Sequence, residues 1–211
     1  IVPRSPKAGE FIKQFGLKAT SNFIGHGVDG NIFHLQKEKK NFFIVIAHLD
    51  KGKNVMSILL LYQKFIKRYP NELYSLYIIG EGEESERLQE YVRTNQLNKQ
   101  IFFLGKMPQK ELCKYLGNSV CMLCNSIKEM NTLSIGEAVV AGTPVLTNTV
   151  PYNHECVREN KLGIARDNWT EEDMYEIVMN NTYYVDNCSR YSSQLLLSEL
   201  PNKFIKQFNI K

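Results

Sequence analysis

Short runs of unbroken apolar residues, separated by amphipathic stretches from about residue 41 onward, constrain this sequence more than any other feature. They are Phe42 to Ala47, Leu76 to Ile79, Ile101 to Leu104, Val120 to Cys124 and Val145 to Thr147, with a weaker one at Gly163 to Ala165. A strand that is apolar at every position, rather than at every second one, is covered on both faces. Such strands alternating with helices predict an α/β fold, a doubly wound parallel sheet forming a Rossmann-like single domain. The stretches between them read as helices. Val55, Ile58, Leu59, Tyr62, Phe65 and Ile66 recur at helical spacing before Pro70 stops them. Further helices span Ser85 to Asn95, begin at Pro108 and run from Leu133 to Ala141, where Gly142 and Pro144 end the last of these. Another begins at Thr170, which caps it ahead of Glu171, Glu172 and Asp173.

The two ends break this rhythm. Residues 1–20 offer one short helix, Lys7 to Phe15, and residues 182–211 carry Leu195, Leu196, Leu197, Phe204, Ile205 and Phe208 with no strand between them. Both read as segments that meet something outside a domain spanning 21–181. With 211 residues, 43% of them hydrophobic, the chain buries a sizeable core. A net charge of +4 and a pI near 8.7 are mild, and the lysines are scattered. That balance argues against nucleic acid and fits anionic ligands or peripheral contact with an anionic membrane face. No run approaches the roughly 18 to 20 apolar residues of a membrane span, and the start, Ile-Val-Pro-Arg-Ser-Pro, lacks the order of a signal peptide. The expected location is therefore cytoplasmic, extending to the inner face of the membrane. Five cysteines make an odd set, and Cys121 and Cys124 lie inside an apolar run. They read as core residues rather than a metal or redox pair.

In an open parallel sheet, ligands bind beyond the carboxyl ends of the strands. Four strand exits are distinctive. The first, with His48, Lys51 and Gly52, places a cation beside a flexible glycine. The second and third are Gly80-Glu81-Gly82-Glu83 and Gly105-Lys106-Met107-Pro108. Taken singly, these three also fit plain turns with solvated side chains. The fourth, from Asn125 to Thr132, leads into the helix that carries Glu137. Unpaired amides near Thr132, Leu133 and Ser134 make a seat for a phosphate or diphosphate. Glu137, one turn further, can accept hydrogen bonds from vicinal ribose hydroxyls, and Glu129 can engage sugar hydroxyls. As bare residues these acids also fit a surface position and a helix-dipole partner.

The ordered series carries more than its parts. Gly27-Val28-Asp29 followed by Phe33, then His48 through Lys51-Gly52, then Ile78-Ile79-Gly80-Glu81-Gly82, then Ile101 to Gly105, and finally Glu129 to Glu137 with Ala138 through Val145, appear in sequence. Over roughly residues 20 to 180 this series resembles the carboxy-terminal donor domain of family 4 retaining glycosyltransferases of the GT-B architecture. It departs from the pattern at His48, where the family usually has arginine, at Glu83, where proline is usual, and at Met130-Asn131-Thr132, which replaces a glycine-rich stretch.

The resemblance implies transfer of a sugar from a nucleoside-diphosphate sugar to a glycan, lipid or other hydroxyl acceptor, as in polysaccharide or glycolipid biosynthesis. It casts Lys51 and Glu129 as catalytic: Lys51 on the diphosphate beside His48 and the amides of Asn131, Thr132 and Leu133, and Glu129 near the anomeric carbon. Glu137 would hold the ribose, and the backbone of Lys106 and Met107 the base, with Gly80, Gly82 and Gly105 admitting the donor. No metal and no obligatory cofactor is implied; the nucleotide sugar is the substrate. The acceptor would come through an amino-terminal domain, of which residues 1–20 are a remnant and linker, while residues 182–211 would form a carboxy-terminal helical segment that crosses back to it. This half alone is expected to bind donor weakly and transfer nothing. Other readings are a non-catalytic relative, another GT-B sugar-nucleotide enzyme such as an epimerase or phosphorylase, and a general doubly wound nucleotide-binding domain. A dinucleotide dehydrogenase and a P-loop ATPase are disfavoured, since neither G-x-G-x-x-G after the first strand nor G-x-x-x-x-G-K-[ST] is present.

Overall fold

The computed structural model describes residues 6–18, 26–129 and 132–208. After a first helix α1 (Pro6–Gln14), strands and helices alternate: β1 (Lys40–Ile46), α2 (Val55–Arg68), β2 (Ser75–Ile79), α3 (Ser85–Thr94), β3 (Ile101–Gly105) and α4 (Gln109–Asn118). They continue with β4 (Ser119–Cys124), α5 (Leu133–Val140), β5 (Val145–Thr147), α6 (His154–Glu159) and β6 (Gly163–Ala165). Three helices, α7 (Glu171–Met179), α8 (Asn181–Tyr191) and α9 (Leu200–Phe208), follow.

The six strands form one sheet in the order β3-β2-β1-β4-β5-β6, every pairing parallel. Successive side chains of β1 enter opposite layers. Phe43 and Val45 join a cluster with Ile58, Leu59 and Phe65 of α2, Leu88 and Val92 of α3, and Met174 and Ile177 of α7. Phe42 and Ile44 join the other, with Leu116 of α4, Ile135 and Val139 of α5, Val157 of α6 and Cys188 of α8. Continuous hydrophobicity along each strand is the direct consequence of this double cover. The chain winds outward from β1 in both directions, so β1 and β4 part at their carboxyl ends and leave a crevice there.

Each predicted strand is present, and so is the Thr170 cap, as a full capping box with Asp173. One helix, α6, lay beyond the sequence reading. Helix α6 has six residues and too little length to show a period. Helix α8 lies in the segment expected to be helical, and it buries Tyr184, Val185 and Cys188, so the packed fold continues past residue 181. Leu195 and Leu196 pack against the core while Leu197 is exposed; the side chains of Phe204 and Phe208 lie outside the described residues. Cys121 is buried in β4 and Cys124 half-buried, and both are free thiols. Among the described residues, no helix is long and apolar enough to cross a membrane.

The Gly27-Val28-Asp29 turn has a local explanation. Val28 exchanges backbone hydrogen bonds with the tail, its amide donating to Leu195 (2.8 Å) and its carbonyl accepting from Leu197 (2.8 Å). A Cβ on Gly27 would sit 2.6 Å from the Leu197 Cα, so only glycine allows this approach. The Asp29 carboxylate accepts from the Asn31 amide at 2.9 Å, closing the turn that sends Phe33 into the core.

Candidate functional site

At the crevice between β1 and β4 lies a cavity of about 420 Å³. Its walls are the end of β1 with Ala47 and His48, the end of β4 with Asn125 and Ser126, and the start of α5; Lys53, Glu129, Thr132, Leu133 and Glu137 also line it. A larger cavity of about 890 Å³ lies beside it and shares Thr132, Leu133 and Glu137. The larger one is walled mainly by apolar side chains from the 27–33 turn, α5 and the tail, with charged groups chiefly from α6 and α9. The smaller one combines the strand exits with the Lys53 and Glu129 charges, and the candidate site is placed there for that reason.

The exit of β1 shows how the charge arrives. Asp50 accepts a hydrogen bond from the Lys53 amide at 2.9 Å, capping a single 3-10 turn over Lys51–Lys53. That turn carries Lys53 inward and leaves Lys51 exposed and off the cavity wall. The next residue, Asn54, takes the left-handed conformation (φ 51°), which asparagine tolerates better than most side chains. The lysine followed by a left-handed residue is thus Lys53-Asn54, two positions after the lysine-glycine pair the sequence singles out. Gly52 serves another purpose: its carbonyl accepts from the amides of Ile127 (2.7 Å) and Lys128 (3.2 Å), docking the β4 exit on the β1 exit.

Lys53 Nζ forms an ion pair with Glu129 Oε2, with 25% and 14% of the two side chains exposed. A half-buried pair is screened less than a surface one. Any anion that engages Lys53 would have to draw it away from Glu129 or share it. His48 stands at the rim, its Nε2 3.7 Å from Glu83 Oε2, with both side chains mostly exposed. The two departures at His48 and Glu83 therefore face each other. Glu137 is half-buried, and burial pushes its carboxyl above the usual range.

The start of α5 is held from outside. The Thr132 amide donates to Asn153 Oδ1 (3.3 Å), and Asn153 Nδ2 donates to the Thr132 carbonyl (2.7 Å). Leu133 and Ser134 keep amides without a partner among the described residues. Of the amides in the predicted seat, those of Leu133 and Ser134 are thus open and that of Thr132 is committed elsewhere; Asn131 lies outside the described residues. Gly80, Gly82, Gly105, Lys106 and Met107 are not on this cavity wall. A Cβ on Gly80 would lie 1.8 Å from the Ala47 carbonyl oxygen, and one on Gly82 would lie 2.4 Å from that of Leu49. These glycines let the β2 exit pack on the β1 exit, and so shape the loop that bears His48. Gly105 is left-handed (φ 68°), and the Lys106 amide donates to Glu81 Oε1 at 3.4 Å.

The structure thus gathers His48, Glu129, Thr132, Leu133 and Glu137 and adds Lys53. Its sequence signal was the asparagine behind it, a residue suited to a left-handed position. Among the described residues, no group of three or more potential His, Cys, Asp or Glu ligands forms.

The comparisons bear on this geometry. The family model described as "Glycosyl transferases group 1" matches residues 28–179. The O-antigen chain mannosyltransferase RfbU of Salmonella typhimurium is 25% identical over 182 residues, covering 85% of this chain and 49% of that protein. The chain spans about half the length, or less, of the curated relatives it matches. In fold it resembles the pneumococcal O-GlcNAc transferase GtfA, solved with UDP and GlcNAc (TM-score 0.74, 18% identity, 97% of this chain, 44% of that one). It also resembles the C-terminal domain of the glycosyl transferase group 1 family protein LpcC of Francisella tularensis (TM-score 0.67, 18% identity), covering 81% of this chain and 100% of that domain.

Proposed function

Because this chain belongs to the glycosyl transferases group 1 family, we propose that it is the donor-binding half of a retaining, family 4 glycosyltransferase. In this reading it transfers a sugar from a nucleoside-diphosphate sugar to a glycan or lipid hydroxyl. The observation that carries the reading is the cavity at the sheet's crevice, which Lys53, Glu129, Leu133, Ser134 and Glu137 line together. The solved GtfA relative, which holds UDP, lends the nucleotide its class.

Breaking the bond between the anomeric carbon and the donor phosphate builds positive charge on the carbon and negative charge on the leaving group. Fixed donors aimed at that phosphate stabilise the transition state more than the ground state. Lys53 and the α5 amides fill this role, with His48 at the rim. As Lys53 turns to the phosphate, Glu129 is released toward the sugar, where an anion steadies the charge growing at the anomeric carbon. Glu137 accepts from the ribose, and the base extends toward Gly105 to Met107. The positive charge comes from the protein, so the proposal requires no divalent ion or cofactor. The acceptor is held by a further domain, and contact with a membrane face fits a lipid-linked acceptor.

The test is a thermal-shift panel of uridine, guanosine and adenosine diphosphates, with EDTA present. At least one should stabilise the chain, by an amount that grows with the logarithm of ligand concentration. Lys53→Met should weaken that ligand roughly tenfold or more, as expected when a charged hydrogen bond is lost. Lys51→Met should leave binding within about twofold. If none of the three stabilises the folded chain, the donor-site reading fails; if Lys51→Met is the damaging change, Lys53 loses its role.

A further inference from the structure

Asparagine is among the most favoured residues for capping its own helix. Asn153 occupies that position ahead of α6, yet its side chain makes no cap bond there. It reaches 21 residues back in the chain to Thr132, accepting from the amide (3.3 Å) and donating to the carbonyl (2.7 Å). Thr132 is itself the N-cap of α5, and its own hydroxyl caps nothing. Two cap positions have forgone their local bonds, and the bonds that replace them tie the β5 exit to the start of α5.

We propose that Asn153 is a positioning residue for the donor site. The inference rests on the donor-site reading above and adds a residue to it. By filling both backbone groups of Thr132, Asn153 fixes where α5 begins. The first amides left for an anion are then Leu133 and Ser134, and Glu137 follows one turn on, on the same helix. Phosphate seat and ribose acceptor are thereby set in register by a side chain that, lying at the edge of the larger cavity, lines none of the smaller one. An amide side chain suits this task because it carries a donor and an acceptor side by side and no charge that would repel a diphosphate.

The experiment measures binding of the best of the three nucleoside diphosphates, and of the matching monophosphate, to wild type, Asn153→Ala and Asn153→Asp by calorimetry near neutral pH. Asn153→Ala should weaken the diphosphate about tenfold and the monophosphate less, because the amides it sets in place grip the outer phosphate. Asn153→Asp keeps the acceptor and the shape, which guards against loss of the fold. As a carboxylate it cannot donate to the Thr132 carbonyl, and it adds a negative charge near the seat. Its deficit should therefore exceed that of Asn153→Ala, and be larger for the diphosphate than for the monophosphate. Wild-type affinity in both variants, or equal losses for the two ligands, would overturn the proposal. Absence of any diphosphate binding by wild type would instead overturn the site.

Discussion

Glu137 is walled by both cavities and half-buried, and desolvation raises its carboxyl pKa. A folded-state pKa above the unfolded one means that stability is fullest below the unfolded value and is lost as pH rises through the folded value. At neutral pH the ionised Glu137 is consequently a cost to the ligand-free protein, repaid only when hydroxyls donate to it. Glu137→Gln should melt higher than wild type at pH 7, with the gap closing on acidification, while its nucleoside diphosphate affinity falls about tenfold. Melting curves across that pH range, with and without ligand, check both signs. A lower melting temperature for ligand-free Glu137→Gln at pH 7 would mean that the carboxylate already has a stabilising partner. The acids of this site were legible as residues, because their spacing and their place before and within a helix carry the signal. The lysine was not. Choosing between Lys51 and Lys53 depends on the Asp50 cap and on the left-handed Asn54, and either lysine fits the bare sequence beside a flexible residue.

At the scale of elements, the strand exits lean on one another. Gly80 combines a φ of 136° with a hypothetical Cβ 1.8 Å from the Ala47 carbonyl oxygen, so no side chain fits without moving the His48 loop. Gly80→Ala should destabilise the fold by roughly 2 kcal/mol or more, the range of strain at a glycine-only conformation, and should weaken nucleotide binding in whatever fraction remains folded. Chemical denaturation measures the first effect and a titration the second; a change below about 0.5 kcal/mol, typical of surface substitutions, would reject the packing role. The strands were readable because burial on both faces erases the period-two alternation and leaves unbroken apolar runs. Helix α6 was not, since six residues cannot display a repeat. The helical character of residues 182–211 was legible, but not that Tyr184, Val185 and Cys188 of α8 join the core, since polar residues around them disguise the stripe. Gly80 and Gly82 looked like ligand-facing glycines, whereas the close contact they allow is with the neighbouring strand exit.

For the whole molecule, Phe11, Phe15, Leu197 and Ile205 are exposed apolar side chains near the two ends of the described chain. With the chain spanning about half of its curated relatives, a protein extended by an acceptor domain should cover such side chains and transfer sugar where the present chain is expected not to. Assaying sugar transfer from the donor that binds best, with and without the extension, tests this, and full transfer by the present chain alone would refute it. The sequence by itself determined the parallel sheet, its double cover and the strand exits, since burial and helix period are written residue by residue. Only the tertiary structure decided which lysine meets Glu129, which amides stay open and that Asn153 holds the start of α5. Those facts depend on capped turns and on contacts between loops far apart in the chain, for which a linear pattern has no term.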